Sequence, residues 1–170
     1  MSTHPRITNI FSLFEIDARF DIDLDELDHK YYDLQRQFHP DNSLSKPDEE
    51  KFAALNKSME INDAYKILKS HVERATHILE LNGIEMEAVE TKPDMNMLAE
   101  IMQKRQAVET ATTKEELNKL HDEIEAERKA GIADLLQKFN ENDLEEATRI
   151  VIKQKYLKRL EIEIDNRKRA

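Results

Sequence analysis

The apolar residues in the first third of the chain recur at steps of three and four, which is the spacing of one face of an α-helix. From residue 23 to residue 38 the apolar positions are Leu24, Leu27, Tyr31, Leu34 and Phe38. Asp23 followed by Glu26 resembles a capping box, which is typical of a helix start. Pro40 disfavours helical backbone at His39, so we expect this helix to end there.

The same periodicity predicts further helices and no strand. Phe52, Leu55, Met59, Tyr65 and Leu68 define the apolar face of the helix that follows Pro47. The predicted segments are a short helix around 10–14 and longer helices over 23–39, 47–69, 70–82, 94–110, 113–139 and from 142 onwards. Thr113 with Glu116, and Asn142 with Glu145, mark the starts of the last two helices. The pattern therefore predicts an all-α fold.

Turn and breaker residues divide these helices into two groups. The pair Asn82-Gly83 ends the first group, and a short acidic stretch with a breaker at Pro93 follows. We predict a first domain over 1–83, a linker over 84–93 and a second domain over 94–170. The loops within 94–170 are short, so neighbouring helices should be antiparallel and form a three-helix bundle.

Composition favours helices and protein partners. Charged residues make up 36% of the 170 positions and aromatic residues 6%, with only 2 glycines and 4 prolines. A net charge of −10 argues against nucleic acid and against an anionic membrane surface. No apolar run reaches about 18 residues, so we expect no membrane-spanning helix. The first 17 residues lack the features of a signal peptide, and we expect a cytoplasmic location.

Metal and cofactor chemistry is not expected in this chain. There is no cysteine, which excludes disulfides and cysteine-held zinc or iron–sulfur centres. The six histidines do not occur at the usual ligand spacings; His71 and His77, for example, lie on different faces of a helix. We therefore predict no metal site and no bound cofactor.

The tripeptide His39-Pro40-Asp41 is the strongest functional candidate. Pro40 fixes its own φ and restricts His39, so the carboxylate of Asp41 projects from a defined place. Such a group can form a charge-assisted bond with an arginine of a partner. Two other interpretations are open. The tripeptide is an ordinary turn, or His39 and Asp41 are an acid–base pair, although no nucleophile or oxyanion donor accompanies them.

A helical hairpin closed by His-Pro-Asp resembles the J-domain of DnaJ-type co-chaperones. The segment "INDAYKIL" (61–68) and the pair Arg74-Ala75 are similar to later helices of that family. The resemblance implies that a DnaK-type chaperone ATPase binds the loop and the helix before it. The implied chaperone-binding residues are His39, Pro40, Asp41, Arg36, Lys30 and His29. Because so few of them are basic, we expect weak electrostatic steering.

Most of the chain resembles the HscB-type co-chaperones of iron–sulfur cluster assembly. The similar segments are "LQRQFHPD" (34–41), "MLAEIMQKR" (97–105) and "KQKYLKRL" (153–160). The resemblance implies a J-domain followed by a bundle that binds an IscU-like scaffold protein. Carried over position by position, the implied client-binding residues are Leu98, Ala99, Met102, Gln103, Gln106 and Tyr156.

Helix geometry gives an independent indication of a surface in the bundle. Met97, Ile101 and Val108 share one face, whereas a second apolar flank about a quarter turn away consists of Leu98, Met102 and Met95. On the last helix the core face is predicted to carry Leu157, Leu160 and Ile164, with Ile152 and Tyr156 off it. The extra flanks are either an exposed partner site or part of a wide core.

Together these features predict a non-enzymatic adaptor, monomeric by default. Its bundle would hold an IscU-like scaffold, and its first domain would stimulate an HscA/DnaK-type chaperone. The ATP and the cluster would belong to those partners. The alternatives are a J-domain co-chaperone with another client and a helical interaction module outside the chaperone system.

Overall fold

The computed structural model describes residues 7–92 and 94–169, and within these ranges every regular element is helical. The described chain contains no β-strand, which confirms the predicted all-α fold. The residues form two compact units, Met1–Leu81 and Asn82–Ala170. No helix within the described ranges is long and apolar enough to cross a membrane.

The first unit is a helical hairpin with short flanking elements. A 3₁₀ helix at Ile10–Phe14 precedes α1 (Leu24–Gln37), and a second 3₁₀ helix at Pro40–Ser43 follows it. Then come α2 (Asp48–Lys69) and α3 (His71–Leu81). The side chain of Asp23 accepts hydrogen bonds from the amides of Asp25 and Glu26, at 2.9 and 3.1 Å, and so caps α1 at the predicted position.

A polar seam joins α1 to α2. Ser58, Asn62, Tyr65 and Lys69 recur at steps of four, three and four along α2, and each meets a partner on α1. Asn62 Oδ1 accepts from Tyr31 Oη at 2.7 Å and from Gln35 Nε2 at 3.0 Å. The rings of Tyr31 and Tyr65 stack with their centroids 3.9 Å apart. Hydrogen bonds and ring stacking therefore fix which face of α2 meets α1.

The predicted apolar face of α2 is wrong in its N-terminal half. Phe52, Leu55 and Met59 are 65%, 46% and 56% exposed, whereas Ile61, Ala64 and Leu68 are buried. At about 100° per residue the exposed trio lies roughly half a turn from the buried trio. The polar seam orients α2 so that Ile61, Ala64 and Leu68 face the core. In addition, α2 has 22 residues and α1 only 14, so α2 is the longer arm of the hairpin.

The second unit contains one short helix and three long ones. They are α4 (Met86–Glu90), α5 (Met95–Thr110), α6 (Lys114–Asn140) and α7 (Leu144–Arg169). Helix α4 lies within the segment 84–93 that the sequence predicts as a linker, and its Met86 is buried. This segment therefore has regular structure. Its buried Met86 removes apolar surface from water, which stabilises the segment.

Two of the three long helices begin at the predicted caps. Asp94 caps α5, and Thr113 and Glu116 form a complete capping box at the start of α6. At α7 the cap is Asp143, which accepts from the Glu146 amide at 3.1 Å, rather than the predicted Asn142. Asn142 instead takes the left-handed conformation with φ 56°, which asparagine tolerates and which the tight turn requires.

The core of the bundle follows the predicted faces closely. Met97, Ile101 and Val108 of α5 and Leu157, Leu160 and Ile164 of α7 are all buried. A buried polar side chain, Gln154 of α7, lies directly over Gly131 of α6 and donates to the Arg128 carbonyl at 3.3 Å. A Cβ on residue 131 would fall 2.0 Å from Gln154 Nε2, so Gly131 leaves the space that the Gln154 amide occupies.

An ion-pair network links the three long helices. Glu127 of α6 accepts from Lys104 of α5 at 2.8 Å and from Lys153 of α7 at 2.7 Å. Lys153 also lies 3.0 Å from Glu100 of α5. Burial raises the pKa of the Glu127 carboxyl, but the hydrogen bonds from the two lysines outweigh this effect and lower it.

Candidate functional site

The His39-Pro40-Asp41 loop lies directly after α1, with His39 capping the 3₁₀ helix at Pro40–Ser43 and Pro40 and Asp41 forming its first residues. His39 has φ −60° and ψ 135°, the extended conformation that a residue before proline prefers. Its Nδ1 accepts a hydrogen bond from the Asp41 amide at 3.2 Å. In the neutral imidazole this bond leaves the proton on Nε2, which can donate to a partner.

The carboxylate of Asp41 is directed to solvent. Its side chain is 75% exposed, and its Oδ2 lies 3.5 Å from His39 Nδ1. When His39 is protonated, the two side chains can therefore form an ion pair. In either state the loop presents an acceptor from Asp41 beside a donor from His39.

Four of the six predicted chaperone-binding residues surround one depression at this end of the hairpin. The depression has a volume of about 690 Å³ and lies between α1 and the loop. Its lining contains the predicted residues His29, Arg36, His39 and Asp41, together with Tyr32, Asp33, Gln35 and Asn42. Pro40 is not part of this lining, although it lies between His39 and Asp41, which are.

Tyr32 and Asn42 were missed by sequence reasoning. Tyr32 is 60% exposed, and the signal for it was the pair Tyr31-Tyr32, of which only Tyr31 fits the apolar face of α1. The side chain of Asn42 donates to the carbonyl of Arg36 at 2.5 Å. From the sequence, Asn42 is only a turn residue directly after Asp41, and nothing indicates this hydrogen bond.

Lys30 lies outside the lining of this depression. Its Nζ donates to the carbonyl of Glu15 at 2.9 Å and pairs with Glu26 at 3.0 Å. Glu15 follows the first 3₁₀ helix and has a positive φ of 51°. Lys30 therefore holds the N-terminal segment against α1, which is a local structural role that the sequence did not indicate.

Two acidic residues on α1, Asp28 and Asp33, are paired with cations. Asp28 accepts from Lys69 at 2.6 and 2.8 Å and from the Tyr65 hydroxyl at 3.0 Å, and the Lys69 hydrogen bond is the main cause of a lowered Asp28 pKa. Asp33 forms an ion pair with Arg36. These pairs reduce the negative potential near the depression, and Arg36 can exchange its exposed pair for a partner at small cost.

Five of the six predicted client-binding residues share one face of α5. Ala99, Met102, Gln103 and Gln106 are exposed, Met102 by 63%, while Leu98 is half-buried. Met95, which is exposed at the start of the same helix, adds apolar surface that the sequence placed on this flank. The face combines a flexible methionine with two amides, and methionine adapts readily to varied partner surfaces.

Tyr156, the sixth predicted client-binding residue, lies on α7. It is half-buried, and the Arg159 guanidinium lies 5.5 Å from its ring centroid. A small cavity of about 60 Å³ beside it is lined by Glu90, Ile152, Lys155, Tyr156 and Arg159. The prediction that Ile152 lies off the core is wrong, because Ile152 is buried where α4 and α7 form this cavity.

One group of possible metal ligands occurs within the described residues. The donor atoms of His121, Asp122 and Glu125 on α6 lie within 4.8 Å of one another. Two of the three also have partners outside the group: His121 Nε2 lies 3.9 Å from Asp165, and Glu125 pairs with Lys129 at 3.0 Å. Salt-bridge partners of this kind account for the arrangement without an ion.

The fold and the loop define an all-α protein in which a J-domain with a His-Pro-Asp loop precedes a helical bundle. The family model described as "HSCB C-terminal oligomerisation domain" matches residues 93–165. The "Co-chaperone protein HscB homolog" of Psychromonas ingrahamii is 36% identical over 162 residues, which cover 92% of this chain and 94% of that protein. The chain belongs to the HscB family of co-chaperones.

Human HscB supports the same family assignment at lower sequence identity. The human "Iron-sulfur cluster co-chaperone protein HscB" is 31% identical over 159 residues, covering 93% of this chain and 68% of that protein. The crystal structure of human co-chaperone protein HscB matches with a TM-score of 0.88 at 30% identity, over 98% of this chain and 85% of that one. The similarity extends through both compact units.

Proposed function

We propose that this chain is an adaptor that delivers an IscU-like iron–sulfur scaffold to an HscA/DnaK-type chaperone and stimulates the ATPase of that chaperone. The observation that carries the proposal is the depression at the end of α1, where Asp41 and His39 face solvent beside Arg36. An exposed carboxylate on a stiffened loop fits a charge-assisted contact with an arginine of the ATPase. Membership of the HscB family supports the same class of partner.

The scaffold is proposed to bind the exposed face of α5 together with Tyr156 of α7. Leu98, Met102 and Tyr156 supply apolar surface, and Gln103 and Gln106 supply neutral hydrogen-bonding groups. Apolar patches of this kind usually mark partner sites. The name of the human relative, an iron–sulfur cluster co-chaperone, favours a cluster scaffold as the client.

Carrying both sites on one chain raises the effective concentration of the scaffold at the chaperone. In this proposal the chain performs no catalysis and holds no cofactor, since ATP is bound by the chaperone and the cluster by the scaffold. The monomeric state and the cytoplasmic location predicted from the sequence stay predictions.

Two measurements test the proposal. Steady-state ATP hydrolysis by a purified HscA/DnaK-type chaperone should rise when this protein is added, and further when IscU-like scaffold is present as well. A pull-down with purified scaffold should detect binding at tens of micromolar. Stimulation without scaffold binding would favour a J-domain co-chaperone with another client. An unchanged ATPase rate would favour a helical module outside the chaperone system.

A further inference from the structure

Asn42 connects the far end of the His39-Pro40-Asp41 loop back to α1. Its Nδ2 donates to the Arg36 carbonyl at 2.5 Å and lies 3.5 Å from the Gln37 carbonyl. Its backbone amide donates to the His39 carbonyl at 2.9 Å. The residue therefore closes the loop through the main chain and anchors it to the helix end through the side chain.

The carbonyls that Asn42 contacts belong to the last turn of α1. The last four carbonyls of a helix have no partner within the helix, and a side-chain donor can satisfy them. Only Leu34 of this turn receives a helix-closing amide, that of Phe38 at 3.0 Å. The side-chain amide of Asn42 thus acts as a C-terminal cap of α1, although Asn42 follows the tripeptide in the chain.

Proline alone does not fix the direction of Asp41. The ring of Pro40 locks its own φ and restricts His39, and the 3₁₀ helix at Pro40–Ser43 sets the local backbone of Asp41, but neither joins the loop to the end of α1. The bond from the Asp41 amide to His39 Nδ1 is internal to the loop and moves with it. Among the hydrogen bonds of the tripeptide and Asn42, those from Asn42 Nδ2 reach the body of α1.

We propose that Asn42 is a positioning residue that sets the direction of the Asp41 carboxylate relative to α1, and so determines how readily the loop engages the chaperone. This inference rests on the proposed function. Removing the Asn42 donor lets the loop visit conformations in which Asp41 points elsewhere. The apparent dissociation constant then rises in inverse proportion to the competent fraction.

The expected effect is on affinity and not on the maximal rate. Loss of one exposed hydrogen bond should raise the concentration of this protein needed for half-maximal stimulation about three- to tenfold. At saturation the chaperone captures the competent conformation, so the maximal ATPase rate is unchanged. Asp41→Asn, which removes the contacting group itself, should instead lower the maximal rate.

Two substitutions at residue 42 separate the donor from the shape of the side chain. Asn42→Ala removes the whole amide. Asn42→Asp keeps its size but replaces the donor with an oxygen that faces two carbonyls, so its shift should be at least as large. Asn118→Asp on α6 makes the same change of charge at another exposed asparagine and is the matched control.

The experiment titrates each variant against a purified DnaK-type chaperone and measures ¹⁵N order parameters of residues 39–42 in the full chain. We expect a higher half-maximal concentration and lower order parameters for both Asn42 variants, with wild-type values for Asn118→Asp. Wild-type values for Asn42→Ala, beside normal stimulation by the unaltered chain, would overturn this inference alone. No stimulation by the unaltered chain would overturn the proposed function and this inference together.

Discussion

At the scale of single residues, function in this chain depends on where a few polar groups point. Asp41 and His39 face solvent, whereas His77 and Arg74 are buried. Arg74 Nε donates to the Phe20 carbonyl at 2.8 Å, and its guanidinium also contacts the Leu68 carbonyl and the Phe20 ring. Residues of similar chemistry therefore lie on the proposed partner surface in one place and in the core in another.

Replacing Asp41 with asparagine should separate function from folding. An exposed loop charge contributes about 0–1 kcal/mol to stability, so the free energy of unfolding should hardly change. Loss of the carboxylate at a desolvated contact should cost about 2–5 kcal/mol of chaperone interaction, measured as lost ATPase stimulation. Asp134→Asn on α6 is the control and should retain stimulation. Unfolding of the Asp41 variant with stimulation intact in its soluble fraction would contradict the prediction.

His77 should make the stability of the first unit depend on pH. Its Nε2 accepts from the Ile10 amide at 3.3 Å, and burial lowers its pKa from 6.5. Below about pH 6.5 the unfolded chain binds a proton that the folded state resists, so stability should fall as the pH decreases. Burial, followed by the charge of Arg74, lowers the pKa of His71 and adds to the same trend.

The test is urea unfolding between pH 7.5 and 5.5, followed through amide NMR signals of the first unit. His77→Gln keeps an acceptor for Ile10 but cannot be protonated, so its stability should depend less steeply on pH. The exposed-site control His29→Gln should keep the wild-type slope. Equal slopes for His77→Gln and the wild type would assign the pH dependence to other groups.

At the scale of helices, the start of a helix was easier to predict than which of its faces is buried. Asp23, Asp94 and Thr113 act as caps where the sequence placed them, because capping needs only residues three apart. The face of α2 was missed because its direction depends on hydrogen bonds from Gln35 and Tyr31 of another helix. An apolar pattern contains no information about such bonds.

The ion-pair network should contribute measurably to the packing of α5, α6 and α7. Glu127→Gln weakens the contacts with both lysines and should destabilise the second unit by about 1–2 kcal/mol, less in 1 M NaCl. Urea unfolding at two salt concentrations measures this change. Glu123→Gln, whose pair with Lys119 is 4.0 Å long and exposed, should cost less than about 0.5 kcal/mol. Equal losses in the two variants would show that the network adds nothing beyond an ordinary surface pair.

At the scale of the whole molecule, the fold class and the two groups of helices were predictable, since helical periodicity and breakers are local signals. The short helix α4 was not, because five residues give too little periodicity to distinguish a helix from a linker. The chaperone-binding and client-binding residues remain predictions. The structure adds that four of the former line one depression and five of the latter share one helix face.

The two proposed activities should be separable by mutation. Leu98→Ala combined with Tyr156→Ala removes apolar contact area from the α5 and α7 surface, so scaffold binding in a pull-down should weaken. Basal stimulation of the chaperone in the absence of scaffold should persist, because neither residue belongs to the loop. Ile162→Ala, at another exposed apolar position of α7, should leave both activities unchanged. If both activities fall together through unfolding, the two residues belong to the core.

The contact between Gly131 and Gln154 has a consequence for the evolution of this bundle. A Cβ at residue 131 would lie 2.0 Å from Gln154 Nε2, so a side chain there requires this enclosed amide to move. A smaller residue at 154 removes the conflict but, without a side chain at 131, leaves a cavity between the two helices. Related sequences should therefore show correlated changes at these two positions, with a larger residue at 131 accompanied by a smaller one at 154.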